Sequence, residues 1–371
     1  MANVQGNGQN AKRAKAPYRG NARQRIQPFG SAPWVSGGTA TVDLPRVGML
    51  SGIHVRFAGG MTRGGGDNGN FKDQFFNFAK RLTVETNLGA GVIYDMSGHM
   101  TNCLNQMSSF NYAADLGGDG TASLPAPLAT TADPAVWAGL VTNPQTNQEL
   151  LFTWFIPIAI NDGVNFSIGQ INLQAPEVQV TLKLQMGTIA GDLFEPGAVV
   201  AGTTVQGTFN FSYVYYEVPN PTYVQYPPYI VHRCLEATQG VFALGDQLYT
   251  VPRQGTLLRL AHSLVVDDLT SDATDALTIE INKTDKVYRE NKGVNRFLSR
   301  LRYGHKMPRG LFVHDFFAAT GLPASGDYRD TIDTEQISTL ESTVNIPAGV
   351  VLGIGNNFLN TMREFTQKLM N

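Results

Sequence analysis

The chain has 371 residues, which allows two or three domains. Only 16% of them are charged, while Gly (39), Pro (19), Phe (20) and Tyr (13) are abundant, so the composition favours an all-β protein with long loops. We expect neither a secretory signal peptide nor a membrane-spanning helix, because the required apolar segments are not found. Cys103 and Cys234 are far apart, without metal-site spacing, and are expected to be buried thiols of a protein made in a reducing cytoplasm.

Residues 1–43 are predicted to form a basic N-terminal arm. The whole chain carries a net charge of −2, yet no acidic residue precedes Asp43. The positive side chains of the arm are Lys12, Arg13, Lys15, Arg19, Arg23 and Arg25. Near an anionic membrane each is worth about 1 kcal/mol, so the arm is predicted to contact phospholipid headgroups or nucleic acid. The spacing of the charges does not separate these two partners, and a solubilising tail is the remaining interpretation.

Residues 44–218 are predicted to form a first β-domain with long loops. Its strand candidates are rich in β-branched and aromatic residues and end in turn residues. They lie at 44–57, 81–87, 91–98, 150–160, 177–186 and 207–218. A short helix is expected at 99–107, and loops are expected at 59–69 and 116–149.

The most apolar of these stretches is LLFTWFIPIAI, residues 150–160, which carries no charge. It is too short for a membrane-spanning helix, which needs about 20 apolar residues. Pro157 also opposes a helix, at a cost of roughly 3 kcal/mol in a helix interior. The run is therefore predicted to be a strand buried on both faces, with Pro157 at a strand end, a bulge or an edge.

A second domain is predicted at 230–355, after a stiff proline-rich linker at 219–229. It repeats motifs of the first domain in the same order. The matches are Pro45-Arg46-x-Gly48 with Pro252-Arg253-x-Gly255, LTVETN (82–87) with LTIEIN (277–282), GVIYDM with KVYREN (286–291), the helix at 99–107 with VNRFLSRL (294–301), and LLFTWFIP with GLFVHDFF (310–317). The repeat predicts an all-β fold of two consecutive eight-stranded jelly rolls, with Glu85 and Glu280 in equivalent strands.

The last predicted element is a short amphipathic helix within 356–371. Its apolar side chains recur at helical spacing. They are Phe358, Leu359, Met362, Phe365 and Leu369.

The ordered strand and turn patterns over 44–365 resemble a known family. They include VGMLSGIHVRF, KRLTVETNLGAGVIYDMSGH, LLFTWFIPIAINDG, EVQVTLKLQM, FSYVYYEVP and MPRGLFVHDFF. The chain resembles the double jelly-roll major capsid proteins of the tectivirus-type, internal-membrane bacteriophages. The resemblance implies pseudo-hexagonal homotrimers that tile an icosahedral shell over a lipid vesicle enclosing double-stranded DNA. It further implies penton and minor capsid proteins as partners, a place in the virion after synthesis in the host cytoplasm, and an outward position for 116–149.

No catalytic, cofactor or metal site is predicted. The histidines His54, His99, His232, His262, His305 and His314 lack zinc-site spacing and are expected to have surface or structural roles. His314-Asp315 lacks a nucleophile motif, and RGGGDNGNFKD (63–73) lacks the GK[ST] of a phosphate loop. The run 267–275 offers calcium ligands in Asp267, Asp268, Asp272 and Asp275 without EF-hand spacing, so a solvated loop is the preferred interpretation.

Two functions of other classes compete with the capsid hypothesis. One is a two-domain β-sandwich binding module, such as a receptor-binding or lectin-like spike. FNFSYVYYEV (209–218) could then be a stacking platform for sugars or bases, although aromatic residues in a strand more often form a core. The other is a β-sandwich glycosidase, for which the sequence nominates no carboxylate pair.

Overall fold

A computed structural model describes residues 23–62, 64, 72, 75–89, 91–107, 148–160, 168–194, 201–217, 230–303, 307–317, 331–353 and 356–369. The predicted linker at 219–229 and nearly all of the predicted loop at 116–149 lie outside these residues. So do Lys12, Arg13, Lys15 and Arg19 of the basic arm. No helix among the described residues is long and apolar enough to cross a membrane.

The first half of the chain forms one jelly roll. Its elements are β1 (Arg23–Pro33), β2 (Thr39–Asp43), β3 (Met49–Thr62), a 3₁₀ helix (Phe75–Phe78), β4 (Ala79–Thr86), β5 (Gly91–Met96), α1 (Gly98–Met107), β6 (Gln148–Pro157), β7 (Ile171–Asn172), β8 (Val180–Met186), a π-helical turn (Ile189–Leu193) and β9 (Thr204–Glu217). One sheet has the order β1-β9-β3-β6, with the short β7 also on β3. The facing strands have the order β2-β8-β4-β5, and all these pairings are antiparallel.

The second half repeats this topology strand for strand. Its elements are β10 (Ile230–Gly240), β11 (Gly245–Thr250), β12 (Thr256–Val266), β13 (Leu269–Thr270), β14 (Ala276–Ile281), β15 (Asp285–Asn291), α2 (Lys292–Tyr303), β16 (Leu311–Asp315), β17 (Ile332–Asp333), β18 (Leu340–Ile346) and β19 (Phe358–Lys368). One set of strands has the order β10-β19-β12-β16, with β17 on β12, and the other has the order β11-β18-β14-β15. The predicted pair of eight-stranded jelly rolls is thereby confirmed, and the two-residue strands β7, β13 and β17 are additions to the eight main strands of each roll.

The repeated glycines hold the same place in both rolls. Gly48 precedes β3 with φ +72°, and Gly255 precedes β12 with φ +73°. A Cβ at Gly48 would lie 2.8 Å from the carbonyl oxygen of Tyr216 in β9, and one at Gly255 would lie 2.1 Å from that of Thr366 in β19. Both positions therefore require glycine, which adopts a positive φ without steric cost and lets two backbones approach closely.

The LTVETN and LTIEIN repeats are equivalent as well. The pairing of β4 with β5 shifts register between Val84 and Glu85, and that of β14 with β15 shifts between Ile279 and Glu280. Both glutamates therefore follow a β-bulge at the same strand position, as the sequence repeat predicts. The asparagines that end the two motifs also agree: Asn87 Oδ1 accepts the backbone N–H of Gln179 at 2.9 Å, and Asn282 Oδ1 accepts that of Ser338 at 2.8 Å.

The core of the first roll is strongly aromatic. Alternate side chains of β6, among them Phe152 and Trp154, are buried beside Phe57 and Phe209. The opposite face of β6 is only half-buried from residue 151 onward, and β6 pairs with β3 alone among the described strands. The prediction that this strand is buried on both faces is therefore wrong, and Pro157 ends an edge strand, where a missing N–H is tolerated.

Most aromatic residues of FNFSYVYYEV belong to the same core. Phe209, Phe211 and Tyr213 alternate along β9 and are almost fully buried. Phe29 of β1 packs against Phe211 and Tyr213, with ring centroids 5.9 and 5.8 Å apart. These rings form a core rather than an exposed stacking platform.

The predicted C-terminal helix within 356–371 is wrong, because Phe358–Lys368 is strand β19. This strand lies between β10 and β12 and is hydrogen-bonded to both. Its two faces are covered, so polar Thr361 and Glu364 are buried together with Met362. A strand covered on both faces loses the alternation that identifies strands in sequence, and here the remaining apolar spacing imitates a helix.

The prediction of an arm at 1–43 is wrong for residues 23–43, because β1 and β2 of the first roll lie there. β1 pairs with β9 from Arg23 to Pro33, and β2 pairs with β8. Arg25 lies in β1, where its guanidinium is 3.0 Å from the Glu217 carboxylate in an exposed ion pair. Exposed pairs of this kind contribute about 0–1 kcal/mol, so the main-chain ladder rather than the ion pair holds β1 in place.

Candidate assembly surfaces

The two rolls are joined by a parallel strand pairing. Tyr94 and Asp95 of β5 are the register partners of Cys234 and Leu235 of β10. This contact fuses β2-β8-β4-β5 of the first roll and β10-β19-β12 of the second into one continuous sheet. We call this contact, with the side chains around it, the intrachain seam.

Charged groups reinforce the seam. Arg81 of β4 donates to Asp95 at 2.7 Å and to Glu236 of β10 at 3.4 Å, and the backbone N–H of Ser97 donates to Glu236 at 2.5 Å. Burial raises the pKa of Glu236, although the hydrogen bonds from Ser97 and the charge of Arg81 act in the opposite direction. Arg233 of β10 adds a 2.7 Å hydrogen bond to the carbonyl oxygen of residue 92 in β5.

Helix α1 lies inside the seam. All ten of its residues are buried, whereas a surface helix typically keeps one polar face in water. Its side chains share one hydrophobic cluster with residues of the second roll. The helix contributes Met100, Cys103, Leu104 and Met107, and the second roll contributes Cys234, Ala261, Met307, Leu311, Val313 and Met362. His99 of α1 also lies 3.5 Å from the hydroxyl of Ser263 in β12, so α1 packs against the sheet β10-β19-β12-β16 of the second roll.

A buried network of charged groups links four strands of the same sheet, β10, β12, β16 and β19. Arg259 of β12 donates to Asp315 of β16 at 2.9 Å and to Glu364 of β19 at 2.7 Å. Tyr303 also donates to Asp315, and His232 bonds Glu364 at 2.9 Å. Although burial alone would raise it, the pKa of Glu364 falls to about 2, chiefly because of the charge of Arg259.

The same network brings potential metal ligands together. His232, Cys234 and Glu364 are buried with ligand atoms within 4.8 Å of one another. The group was missed from sequence because Glu364 is more than a hundred positions from the other two. Arg259 donates to the same carboxylate and opposes any cation there, so we assign the group a structural role.

The other candidate residues for chemistry have structural partners. Asp315 is engaged by Arg259 and Tyr303, and burial lowers the pKa of His314 to about 4. In the acidic run, Asp268 pairs with Lys72 at 3.1 Å, which ties a first-roll loop to the second roll. Asp272 pairs with Arg296 of α2. Both carboxylates thus have cationic partners from this chain.

Helix α2 contrasts with α1, because it exposes an apolar stripe. Phe297 is 66% exposed and Leu301 is 62% exposed, and Val294 lies on the same face of the helix with 45% exposed. Val287 of the neighbouring edge strand β15 is 42% exposed. We call these four exposed apolar side chains, which belong to α2 and to the strand that precedes it, the α2 face.

The first roll carries an open groove on the outer face of its sheet β1-β9-β3-β6. Its volume is about 450 Å³. It is lined by Ile26, His54, Arg56, Ala58, Thr153, Asn210 and Ser212. Ile26 is 64% exposed, and burial lowers the pKa of His54, whose ring packs 4.9 Å from that of Phe155. We call this concavity the β1 groove.

The chain can be compared with known proteins by sequence and by fold. No family model matches the sequence, and no curated protein matches it. Solved structures do match. The STIV major capsid protein, from Sulfolobus Turreted Icosahedral Virus, has a TM-score of 0.66 at 11% identity over 93% of this chain and 97% of that chain.

Two further solved structures extend the likeness. A chain of the PBCV-1 virus capsid has a TM-score of 0.61 at 12% identity over 94% of this chain and 95% of that chain. The major capsid protein P2 from Bacteriophage PM2 has a TM-score of 0.54 at 10% identity over 94% and 99%. At sequence identities this low, the likeness shows a shared fold and nothing more. The chain has the double jelly-roll fold of viral major capsid proteins.

Proposed function

We propose that the chain is the major capsid protein of an icosahedral virus and has no enzymatic role. The observation that carries this proposal is the duplication of one jelly roll within a chain whose fold matches capsid proteins along nearly its whole length. Two similar rolls per chain give three chains six similar rolls. The proposed building block is accordingly a homotrimer with a pseudo-hexagonal outline, which can tile a closed shell.

The proposal extends to the setting of the shell. The N-terminal residues before β1 would face an internal lipid membrane that encloses double-stranded DNA, and 116–149 would face outward. Penton and minor capsid proteins would complete the shell, after synthesis in the host cytoplasm. Nucleic acid remains the alternative partner of the basic segment.

Sedimentation and electron microscopy of the purified protein test the capsid proposal. We expect trimers of three times the 40.3 kDa chain mass, with hexagonal outlines, and larger shells or sheets as concentration rises. A chain that remains monomeric at every concentration and retains a sugar or receptor ligand would instead be a binding module of the spike class.

The basic segment is tested separately from folding. Deletion of residues 1–22 removes the four positive side chains Lys12, Arg13, Lys15 and Arg19 but leaves β1 intact, so the melting temperature should remain nearly unchanged. One segment binds weakly, because salt screens its charges over about 8 Å. An array of segments on assembled trimers accumulates the small energies. We therefore expect the deletion to abolish co-sedimentation with phosphatidylglycerol vesicles at physiological salt.

A matched variant separates charge from chain length. Changing the same four residues to Gln keeps the segment and removes its charge, and it should behave as the deletion does. Parallel assays with phosphatidylcholine vesicles and with double-stranded DNA identify the partner. Undiminished binding to phosphatidylglycerol by both variants would show that another part of the particle contacts the membrane.

A further inference from the structure

We propose that the α2 face of one chain docks into the β1 groove of a second copy, while β15 of the first chain adds in parallel to β1 of the second. This contact would repeat the intrachain seam between chains. It rests on the proposed function, because it specifies which surfaces join the copies in the trimer. The argument depends on the residue equivalence of the two rolls.

The helices superimpose through their N-caps. Ser97 Oγ accepts the backbone N–H of Met100 at 3.2 Å, and Asn291 Oδ1 accepts that of Val294 at 2.9 Å. Counting from these caps pairs the buried residues of α1 with the exposed residues of α2. The equivalent pairs are Met100 with Val294, Cys103 with Phe297, and Met107 with Leu301. The stripe that α1 buries in the cluster it shares with the second roll is thus the stripe that α2 exposes.

The surfaces beneath the helices are equivalent too. The two glycines fix which residues of β3 are equivalent to those of β12, and which of β9 to those of β19. The strand pairings then extend this equivalence from β1 to β10 and from β6 to β16. Second-roll residues that cover α1 then correspond to residues of the β1 groove. The pairs are Cys234 with Ile26, Ala261 with His54, Leu311 with Thr153, and Met362 with Ser212. The groove of the first roll is thus equivalent to the surface of the second roll against which α1 packs.

The strand edges complete the correspondence. In the seam, β10 covers the edge of β5, whereas in the described chain β15 pairs only with β14, and β1 pairs only with β9. Tyr94 corresponds to Tyr288, and Asp95 to Arg289. The seam register therefore predicts that Ile26 of one copy lies beside Tyr288 of the next, and Gln27 beside Arg289. Strands with free edges are ready templates for pairing with another chain.

The contact uses two different surfaces, one from each roll. A contact between unlike surfaces builds a ring or an open filament rather than a closed pair. When the step between chains repeats the step within a chain, the six rolls of three copies alternate around one ring. The trimer of the proposed function would then use a single interface type twice, once between the two rolls of a chain and once between neighbouring chains.

Phe297→Asp tests the helix contact. It places a charge at the centre of the α2 face, where the chain on its own leaves the side chain exposed, so the monomer should fold normally by circular dichroism. We expect the trimer to dissociate at least ~100-fold more readily, since the variant loses a buried aromatic anchor and buries a carboxylate. The matched control is Phe242→Asp, which changes a 93% exposed phenylalanine outside both surfaces and should leave the trimer intact.

A disulfide pair tests the strand register. Neighbouring strands lie about 4.8 Å apart, within the roughly 4.4–6.8 Å that Cα atoms of a disulfide allow. Gln27→Cys combined with Arg289→Cys should therefore link chains into covalent ladders of up to three on a non-reducing gel. Gln27→Cys combined with Asp285→Cys, four residues along β15, should not.

The outcomes separate this inference from the proposed function. Loss of the trimer in Phe297→Asp together with the register-specific ladder supports the inference. A wild-type trimer that persists in Phe297→Asp and yields no ladder overturns the inference and leaves the capsid proposal standing. A wild-type chain that never forms trimers overturns both.

Discussion

Replacement of Gly255 by Ala is expected to lower the free energy of unfolding by about 3 kcal/mol or more. The residue has φ +73°, a conformation that costs a residue with a Cβ about 1–2 kcal/mol. The new Cβ would also lie 2.1 Å from the carbonyl oxygen of Thr366 and 3.0 Å from the Cα of Gln367. Both atoms are backbone of β19, so relief requires a shift of the central strand rather than a side-chain rotation.

Gly245→Ala is the matched control, because Gly245 also has a positive φ of +96° but a Cβ there meets nothing within 4 Å. Its substitution should cost only the conformational penalty. Urea unfolding of both variants measures the difference, which isolates the steric term. Equal losses for the two variants would mean that β19 yields easily and that the glycine is needed only for its backbone angle. By the repeat, Gly48→Ala should behave as Gly255→Ala does.

The duplicated fold could be predicted from the sequence because backbone geometry left its mark on particular residues. A glycine is required wherever the backbone turns with positive φ against a neighbouring strand, so Gly48 and Gly255 recur. An asparagine closes the turn after each bulged strand, so Asn87 and Asn282 recur. The order of such positions records the topology even where the side chains between them have diverged.

The strands β1 and β19 were harder to predict from the sequence, for opposite reasons. β19 is covered on both faces and carries buried ion pairs, so polar and apolar residues no longer alternate along it. β1 is exposed for most of its length, and its positive charges suggested a free arm. What makes each a strand is main-chain pairing with a distant partner, which side-chain periodicity does not reveal.

The seam was missed as well, although the sequence held a signal for it. The helix HMTNCLNQM contains no Asp, Glu, Lys or Arg, whereas α2 contains Lys292, Arg296, Arg300 and Arg302. A helix without charged residues has no strongly hydrated face, which is consistent with the complete burial of α1. The two helices are otherwise equivalent. The uncharged one, α1, makes the contact between rolls within the chain, and the charged one, α2, is the helix to which we assign the contact with a second copy.

The apolar stretch at 150–160 fits the same view. Its inward residues build the core, but Leu151 and Phe155 point outward on β6, an edge strand whose outer face is only half-buried in the single chain. Phe155 corresponds to Val313, which α1 covers in the second roll. A strand apolar on both faces is therefore explained if assembly covers the second face. The sequence pattern would then describe the assembled protein rather than the isolated chain.

Acid is expected to destabilise the fold well before its carboxylates titrate. Burial lowers the pKa of His99 and His314 to about 4 and that of His262 to about 3, from an ordinary value of 6.5. His262 is held neutral between Thr361 at 3.0 Å and Ser342 at 2.7 Å. Below pH 6.5 these three histidines bind protons in the unfolded chain but not in the native chain, so the free energy of unfolding falls as pH falls. His54, whose pKa is also lowered by burial, acts in the same direction.

The free energy of unfolding should change by about 4 kcal/mol per pH unit near pH 5, since each proton contributes roughly 1.4 kcal/mol per unit. Glu364, with its pKa of about 2, adds its own loss only below its ordinary value of 4.5. Urea unfolding at fixed protein concentration between pH 8 and pH 4.5 measures the profile, which should be flat above pH 7.5. His262→Gln removes one titrating group and should reduce the slope near pH 5 by about a third, even if the variant is less stable at pH 7. An unchanged slope in that variant would show that His262 is protonated in the native state, contrary to its burial.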